Sequence, residues 1–520
     1  MPIKWEGSTH RALLPKSSSL FLKTDLCVFI SCITTETLCW VTAEAFVKMS
    51  KDVTIGSSTL QPTPINKLPT EILIEIFETY AKSYPEVRDE RVGDLCLVSK
   101  YWNAVAHNTP HLWTKINLSF PFSDDHLDAA RKRIRASKFE KIDVFIDFCD
   151  PEWDAIEPSD GEDGEDQPVE AIWVHKVLTL LRDTEERWET IEVVSLTWLP
   201  LYKLIEGWTF THLPSLKSIL MERKSSYFSL LGVSFVPPPL IGPMTLFGQG
   251  ASLPKLHDLS LSGVHVDWDD ILASYRNLCK LELKNLAFDV APSFKQFAEM
   301  LSSSPRLEYL DVSGFCPEHH TEPAPAAPYP KIPVVYLPVL RDFIFGWKKI
   351  HHGRRFLQMF QIGSSLETLA LVDTESSFGC YAEISGQYRH WAWDSREIFE
   401  TLHDLGLNAP QDEGDIPPGP FISMRGVKRL EIISTEATRF SLIPFITMLT
   451  ELECIWLENV DRYVLEDIVS VLVGGNETLQ PLRRLDLLWP WYDAIPDFAE
   501  PLILQLESAG IAFTAHAGGF

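Results

Sequence analysis

Leu256-His257-Asp258-Leu259-Ser260-Leu261 and, a short way on, Leu278-Cys279-Lys280-Leu281-Glu282-Leu283 share one form: apolar-x-x-apolar-x-apolar. The form returns at Leu307-x-x-Leu310-x-Val312, Leu340-x-x-Phe343-x-Phe345, Leu366-x-x-Leu369-x-Leu371, Leu402-x-x-Leu405-x-Leu407, Val427-x-x-Leu430-x-Ile432, Leu452-x-x-Ile455-x-Leu457 and Leu482-x-x-Leu485-x-Leu487. Weaker copies start at Trp188 and Leu216, and successive starts lie 22 to 40 residues apart. That interval holds one short strand, a turn and a helix or irregular return, such as Ser293 to Leu301 or Arg462 to Val473. No unit can bury its apolar edge alone, so neighbours must stack into a parallel strand array with one extended open face.

Working outward, the 520 residues exceed one ordinary domain, and 45% apolar residues with 11% aromatic can bury a large core. The net charge of −26 repels a phosphate backbone, so no nucleic-acid role is expected. Nine cysteines without paired spacings suit a reducing compartment, cytoplasm or nucleus. The apolar run Leu26 to Ile33 is too short to cross a bilayer, so no membrane partner is expected either. Residues 1–64 read as a poorly ordered leader ending in the linker Thr54 to Pro64. Asp150 to Glu170, with ten acidic residues, and Pro317 to Pro338, with seven prolines, read as insertions in the array.

The amino-terminal part follows a different rule. Leu68, Ile72, Ile76 and Tyr80 recur every four residues with Leu73 and Phe77 beside them, which predicts a helix with Pro69 in its first turn. A polar loop from Lys82 to Gly93 should follow. Leu95, Val98, Trp102 and Val105 then predict a second helix capped by Asp94. Thr109-Pro110 opens a turn carrying Leu112 and Trp113, and Ile116 and Leu118 alternate as in a strand.

Residues 65–118 resemble the F-box family. The residues that carry the resemblance are Leu68-Pro69-x-Glu71-Ile72-Leu73-x-x-Ile76-Phe77 and Leu95-x-x-Val98-Ser99-Lys100-x-Trp102, followed by a Thr109-Pro110-His111-Leu112-Trp113 tail that looks like that of many fungal members. The connector between the two helices is longer than in compact members. The repeats at 119–520 are similar to leucine-rich repeats. They carry Val264, Leu286, Phe315, Thr374, Pro410 or Pro490 where that family has Asn or Cys, so an irregular solenoid is expected. The whole is an α/β chain: a three-helix F-box, then the solenoid.

The resemblance implies a Skp-type adaptor as partner and, through it, a cullin, with the repeats holding an unknown protein target for ubiquitin transfer. A scaffold that uses the F-box only for protein contact is the alternative. Leu68, Pro69, Ile72, Leu73, Ile76, Phe77, Leu95, Val98 and Trp102 are the expected core and adaptor face.

In each repeat strand the residues between the apolar positions alternate to the open face. Early repeats present Asp258, Ser260, Lys280, Glu282, Lys284 and Asp311 there. Later ones present Ile344, Ala370, Val372, Arg429, Ile433, Trp456, Arg484 and Leu488, an apolar set edged by Trp and Arg. From that later set, Ile344, Val372, Arg429, Ile433, Trp456, Arg484 and Leu488 are the target-binding candidates. Arg429 and Arg484 could also meet a target phosphate.

Cys316-x-x-His319-His320 lacks a second ligand pair, and His351-His352 sits in a basic turn, so no metal is expected. The acidic run lacks the spacing of a calcium loop. There is no Gly-x-Ser-x-Gly elbow, no phosphate loop, and Gly248-x-Gly250 lacks a third glycine, so neither an enzyme nor a cofactor is expected.

Overall fold

A computed structural model describes residues 68–83, 88–149, 169–210, 212–224, 250–317, 331–374, 395–410, 417–435, 439–460, 462–473, 482–489 and 499–517, with short pieces between them. The chain divides into Met1–Leu68, of which Leu68 alone is described, and Pro69–Phe520, which holds every element below. The expected leader, most of both insertions, and His319 and His320 lie outside the described residues.

Helix α1 spans Thr70–Lys82, with Pro69 at its N-cap, Glu71 in its first turn and Lys82 in its last, matching the helix dipole. Leu73, Phe77, Tyr80 and Ala81 form its buried stripe. The single second helix expected from the sequence is in fact two: α2, Arg88–Val98, and α3, Lys100–His107. Asp94 lies inside α2 and caps nothing. The break is at Ser99, whose backbone is extended and whose hydroxyl accepts from the Trp102 N–H at 3.1 Å. Serine satisfies a free helix-start N–H better than a continuing turn would, and the bend lets Leu95 and Trp102 face one core. The polar connector is correspondingly shorter than Lys82 to Gly93, because α2 starts at Arg88. A 3-10 turn at Pro110–Trp113 follows, and the Trp113 indole N–H donates to the Ala106 carbonyl.

Thirteen parallel strands then make one sheet in chain order. They are β1 Lys115–Ser119, β2 Ile142–Phe148, β3 Trp188–Ser195, β4 Ser218–Arg223, β5 Asp258–Ser262, β6 Lys280–Lys284 and β7 Tyr309–Val312, then β8 Asp342–Trp347, β9 Thr368–Asp373, β10 Arg429–Ile433, β11 Cys454–Glu458, β12 Arg484–Trp489 and β13 Ala512–Ala517. A division of the chain at 118/119 therefore cuts β1, the first rung of the array. Between the strands run α4 Asp124–Ala136, α5 Val169–Leu181, α6 Trp198–Gly207, α7 Trp268–Ser274, α8 Phe294–Ser302, α9 Ile350–Leu357, α10 Arg396–Leu407, α11 Arg439–Thr447, α12 Arg462–Val473 and α13 Glu500–Ser508. Val335–Leu337, Phe360–Ile362 and Phe421–Ile422 form a smaller parallel sheet.

Register explains the core. Ile191, Ile219, Leu259, Leu281, Leu310, Phe343, Leu369, Leu430, Ile455 and Leu485 pair strand to strand in one column. A second column two residues on includes Leu261, Leu283, Val312, Phe345, Leu371, Ile432 and Leu457. Both columns are buried in the same core as the helices' apolar faces. Val264, Leu286 and Phe315, where leucine-rich repeats carry Asn or Cys, are buried too, so apolar packing replaces that polar turn.

Just after several strands, one residue adopts a left-handed backbone: Gly263, Asn285, Gly314, Ser434 and Asn459. Each turns the chain off the sheet toward its helix side. The amide N–H still reaches the next rung, as in Asn285 to the Ser313 carbonyl at 2.9 Å and Asn459 to the Leu488 carbonyl at 2.8 Å.

Three sequence expectations are corrected. Leu402-x-x-Leu405-x-Leu407 is not a strand but the end of α10; Ile398, Phe399, Leu402 and Leu405 make a buried helical stripe and Leu407 is exposed. Two rungs also precede the weak copy at Trp188: β1, and β2, on which Ile142, Val144, Ile146 and Phe148 alternate inward. His351 and His352 lie in helix α9, not in a turn.

Candidate functional site

The three amino-terminal helices bury one set of the expected residues and present another. Leu73, Phe77, Leu95 and Trp102 are core, with the Phe77 and Trp102 rings 4.9 Å apart between centroids. Leu68 and Ile76 are half-buried, and Pro69, Ile72 and Val98 are exposed. Leu97 and Tyr101, whose four-residue spacing fits one continuous helix, are placed on separate helices by the break at Ser99 and join the exposed set. Leu97 is 84% exposed, and Tyr101 stands open beside it on α3. A 3.1 Å hydrogen bond between the hydroxyls of Thr70 and Tyr101 ties the start of α1 to the start of α3. The exposed Pro69, Ile72, Leu97 and Val98 all lie within four residues of that bond along the chain. The sequence signal available was Ser99 itself, a good N-cap residue three before Trp102, which would have divided the predicted helix and freed Leu97 from its stripe.

Side chains pointing away from the helix layer form the sheet's open face, in three columns. The midline column carries Glu192, Glu282, Asp311, Glu431 and Asp486, and no lysine or arginine. From β6 onward the described carboxylates of that column are held by cations beside them. Glu282 binds Lys280 at 2.8 Å and Lys284 at 3.2 Å and accepts from Ser260 at 2.6 Å. Asp311 accepts from Ser313 at 2.8 Å and lies 3.8 Å from Lys284.

Burial pushes the Asp311 carboxyl up to about 6, a rise that Lys284 and Ser313 restrain. Burial would also raise Glu282, but hydrogen bonds from Lys280 and Ser260, with Lys284 nearby, hold it below its ordinary value.

The target-binding candidates fall on adjacent strands. Ile344 and Ala370 pair across β8 and β9, and Val372 pairs with Ile433 across β9 and β10. Ile344, Val372, Ile433, Trp456 and Leu488 are half-buried, while Ala370 is buried. The Trp456 indole N–H donates to Glu458 at 3.3 Å. Arg429 and Arg484 are exposed, but each is engaged on its own strand, Arg429 with Glu431 at 2.6 Å and Arg484 with Asp486 at 2.8 Å. Their charge is already matched, which weakens them as phosphate donors. Among the described residues no group of His, Cys, Asp and Glu could hold a metal ion, and no helix is long and apolar enough to cross a membrane. Cys316 is buried, with its thiol directed at the Pro317 and His352 carbonyls.

Residues 65–119 match the F-box-like family model. No curated protein matches the chain. Among solved structures it is similar to the Rad7 and Elc1 complex in yeast, with 12% identity over 97% of this chain and 99% of that one and a TM-score of 0.33. It is also similar to the leucine-rich repeat-containing protein LegL7 from Legionella pneumophila, with 10% identity over 76% and 97% and a TM-score of 0.31. Likeness at that level transfers neither partner nor activity. Family match and parallel strand ladder together make residues 65–119 an F-box-like domain that runs directly into a leucine-rich-repeat-like solenoid.

Proposed function

We propose that this chain is the substrate-receptor subunit of an SCF-type (Skp-cullin-F-box) ubiquitin ligase. The observation that carries the reading is the uncovered apolar surface of Ile72, Leu97, Val98 and Tyr101 on the F-box-like domain. Clustered apolar side chains left in water on a small helical unit are the expected footprint of a protein partner, here the Skp-type adaptor that joins the chain to a cullin. The open face of the solenoid holds the target. Ubiquitin transfer then gains its rate from the raised local concentration of target lysines, and the chain itself makes and breaks no bond.

The test is Ile72→Asp with Leu97→Asp in the full chain. Leu97 is 84% exposed, so its change should cost no more than about 0.5 kcal/mol. Ile72, 38% exposed, should cost more, on the order of 1 kcal/mol, so folding of the variant is checked by its thermal melt. Adaptor and cullin should no longer co-purify, and the half-life of bound targets should lengthen. Undiminished adaptor recovery would overturn the reading.

A further inference from the structure

The open face is not uniform. On β2 to β5 its three columns carry Asp143, Asp147, Glu192, Glu222 and Asp258, and no lysine or arginine. Asp143 accepts from Thr190 at 2.8 Å, Asp147 from the Cys149 N–H at 2.8 Å, and Asp258 lies 2.7 Å from His257. None of the five has a lysine or arginine nitrogen within 4.0 Å among the described residues. This contrasts with β6, β10 and β12, where Lys280, Arg429 and Arg484 sit two residues from a midline carboxylate and pair with it. Negative charge is therefore paired in direct contact in the later strands, while the carboxylates of the earlier ones feel Lys115, Lys217, Lys224 and Lys284 only beyond ion-pair distance.

The same strip has relief. A cleft of about 370 Å³ opens at its F-box end, lined by Phe145, Asp143, Thr190 and Glu192 of β2 and β3, by Lys115 of β1 beside Asp143, and by Lys82 at the end of α1. Those two lysines offset the cleft's own two carboxylates, and Lys224 offsets part of the charge at Asp147 and Glu222, while Lys284 is engaged with Glu282 and Asp311, so a net negative charge remains across Asp147, Glu222 and Asp258. Phe145 and Leu220 occupy the midline as half-buried apolar groups among the acids. Four strands at about 4.8 Å spacing span roughly 14 Å, the length of an extended segment of about four residues.

We infer that the target segment held on β2 to β5 is a basic one, two or three lysines or arginines interleaved with an apolar residue, its apolar or aromatic side chain entering the cleft over Phe145. Charge complementarity identifies the occupant. An acidic or phosphorylated segment would set like charges against Asp147, Glu222 and Asp258, a repulsion that selects against such partners. The chain's net charge of −26 adds long-range steering of the same sign. The inference rests on the receptor reading for its biological meaning, and it shifts the favoured target face from the later strands to the earlier ones.

The experiment measures fluorescence anisotropy of the peptide Lys-Phe-Lys-Arg, labelled with fluorescein, against the full chain. Lys→Glu and phosphoserine versions serve as competitors. Asp147→Asn, Glu192→Gln and Glu222→Gln are combined in one variant, because the amides keep shape and acceptors while removing charge. Expected are binding that weakens with added salt and about tenfold or greater loss in the triple variant, the order seen when close interfacial charge pairs are removed. Glu458→Gln, on β11, should leave binding unchanged.

Equal affinity in the triple variant, or preference for the phosphorylated peptide, overturns the inference. So does a loss that follows only from neutralising the acidic run between Asp150 and Glu170. If the triple variant melts early, Glu192→Gln alone, at an exposed position, is read instead. Adaptor recovery with each variant is scored in parallel: its absence from the unaltered chain defeats the receptor reading, while the peptide result stands or falls separately.

Discussion

Thr70 and Tyr101 meet through their hydroxyls at 3.1 Å, thirty-one residues apart in the chain, and this contact ties the start of α1 to the start of α3 in the F-box-like domain. Tyr101→Phe removes the bond and keeps the ring. Because the pair is solvent-exposed, the expected stability loss is at the low end of the range for a hydrogen bond, about 0.5 kcal/mol. Adaptor affinity should fall a few-fold as α1 and α3 lose their shared anchor, measurable by titration calorimetry.

Leu97 and Trp102 separate surface from core. Leu97→Ala should leave the melting temperature unchanged and weaken adaptor binding. Trp102→Ala removes a fully buried indole packed on Phe77 and should cost about 3–5 kcal/mol, seen as lost cooperativity in thermal melts.

Gly314 turns the chain at φ +76°, and a Cβ there would stand 2.5 Å from the Asn285 side-chain oxygen and 3.2 Å from its amide nitrogen. Gly314→Ala should therefore cost on the order of 1–3 kcal/mol. Chemical denaturation should show a lower midpoint with an unchanged slope.

Asp311 should give the fold a distinct pH response. Its burial raises the folded-state pKa from 3.8 to about 6, so the folded form binds the proton more tightly than the unfolded one. Stability from this group rises as pH falls through about 6 and levels off below 3.8. Glu282 acts in the opposite sense, its lowered pKa giving stability above 4.5 that is lost only as pH falls further. Between those values the melting temperature should climb on acidification, and Asp311→Asn should flatten that climb.

Ser99 governs the break between α2 and α3. Ser99→Ala removes the acceptor for the Trp102 N–H and should cost about 1 kcal/mol. Hydrogen exchange should quicken first at the start of α3.

The amino-acid order alone settled what depends on neighbours a few residues apart. Apolar-x-x-apolar-x-apolar forces Leu259 and Leu261, or Leu281 and Leu283, to one side of a strand, and stacking follows because one rung cannot hide its own edge. Leu68 to Phe77 and Leu95 to Trp102 spelled the helical unit for the same local reason. Leu402 to Leu407 misled because Leu402 and Leu405, three apart, fit both periods; packing of Ile398, Phe399, Leu402 and Leu405 against the core chose the helix and left Leu407 exposed.

What tertiary structure decided was which charges and apolar groups remain in water. Arg429 and Arg484 read as open donors until the strand placed a carboxylate two residues away on the same side. Leu97 and Tyr101, four apart as on one helix, sit on separate helices because the chain breaks at Ser99, and both are exposed. The strip from Asp143 to Asp258 exists only because parallel register sets side by side residues far apart in the chain, and electrostatics acts through space and not along it.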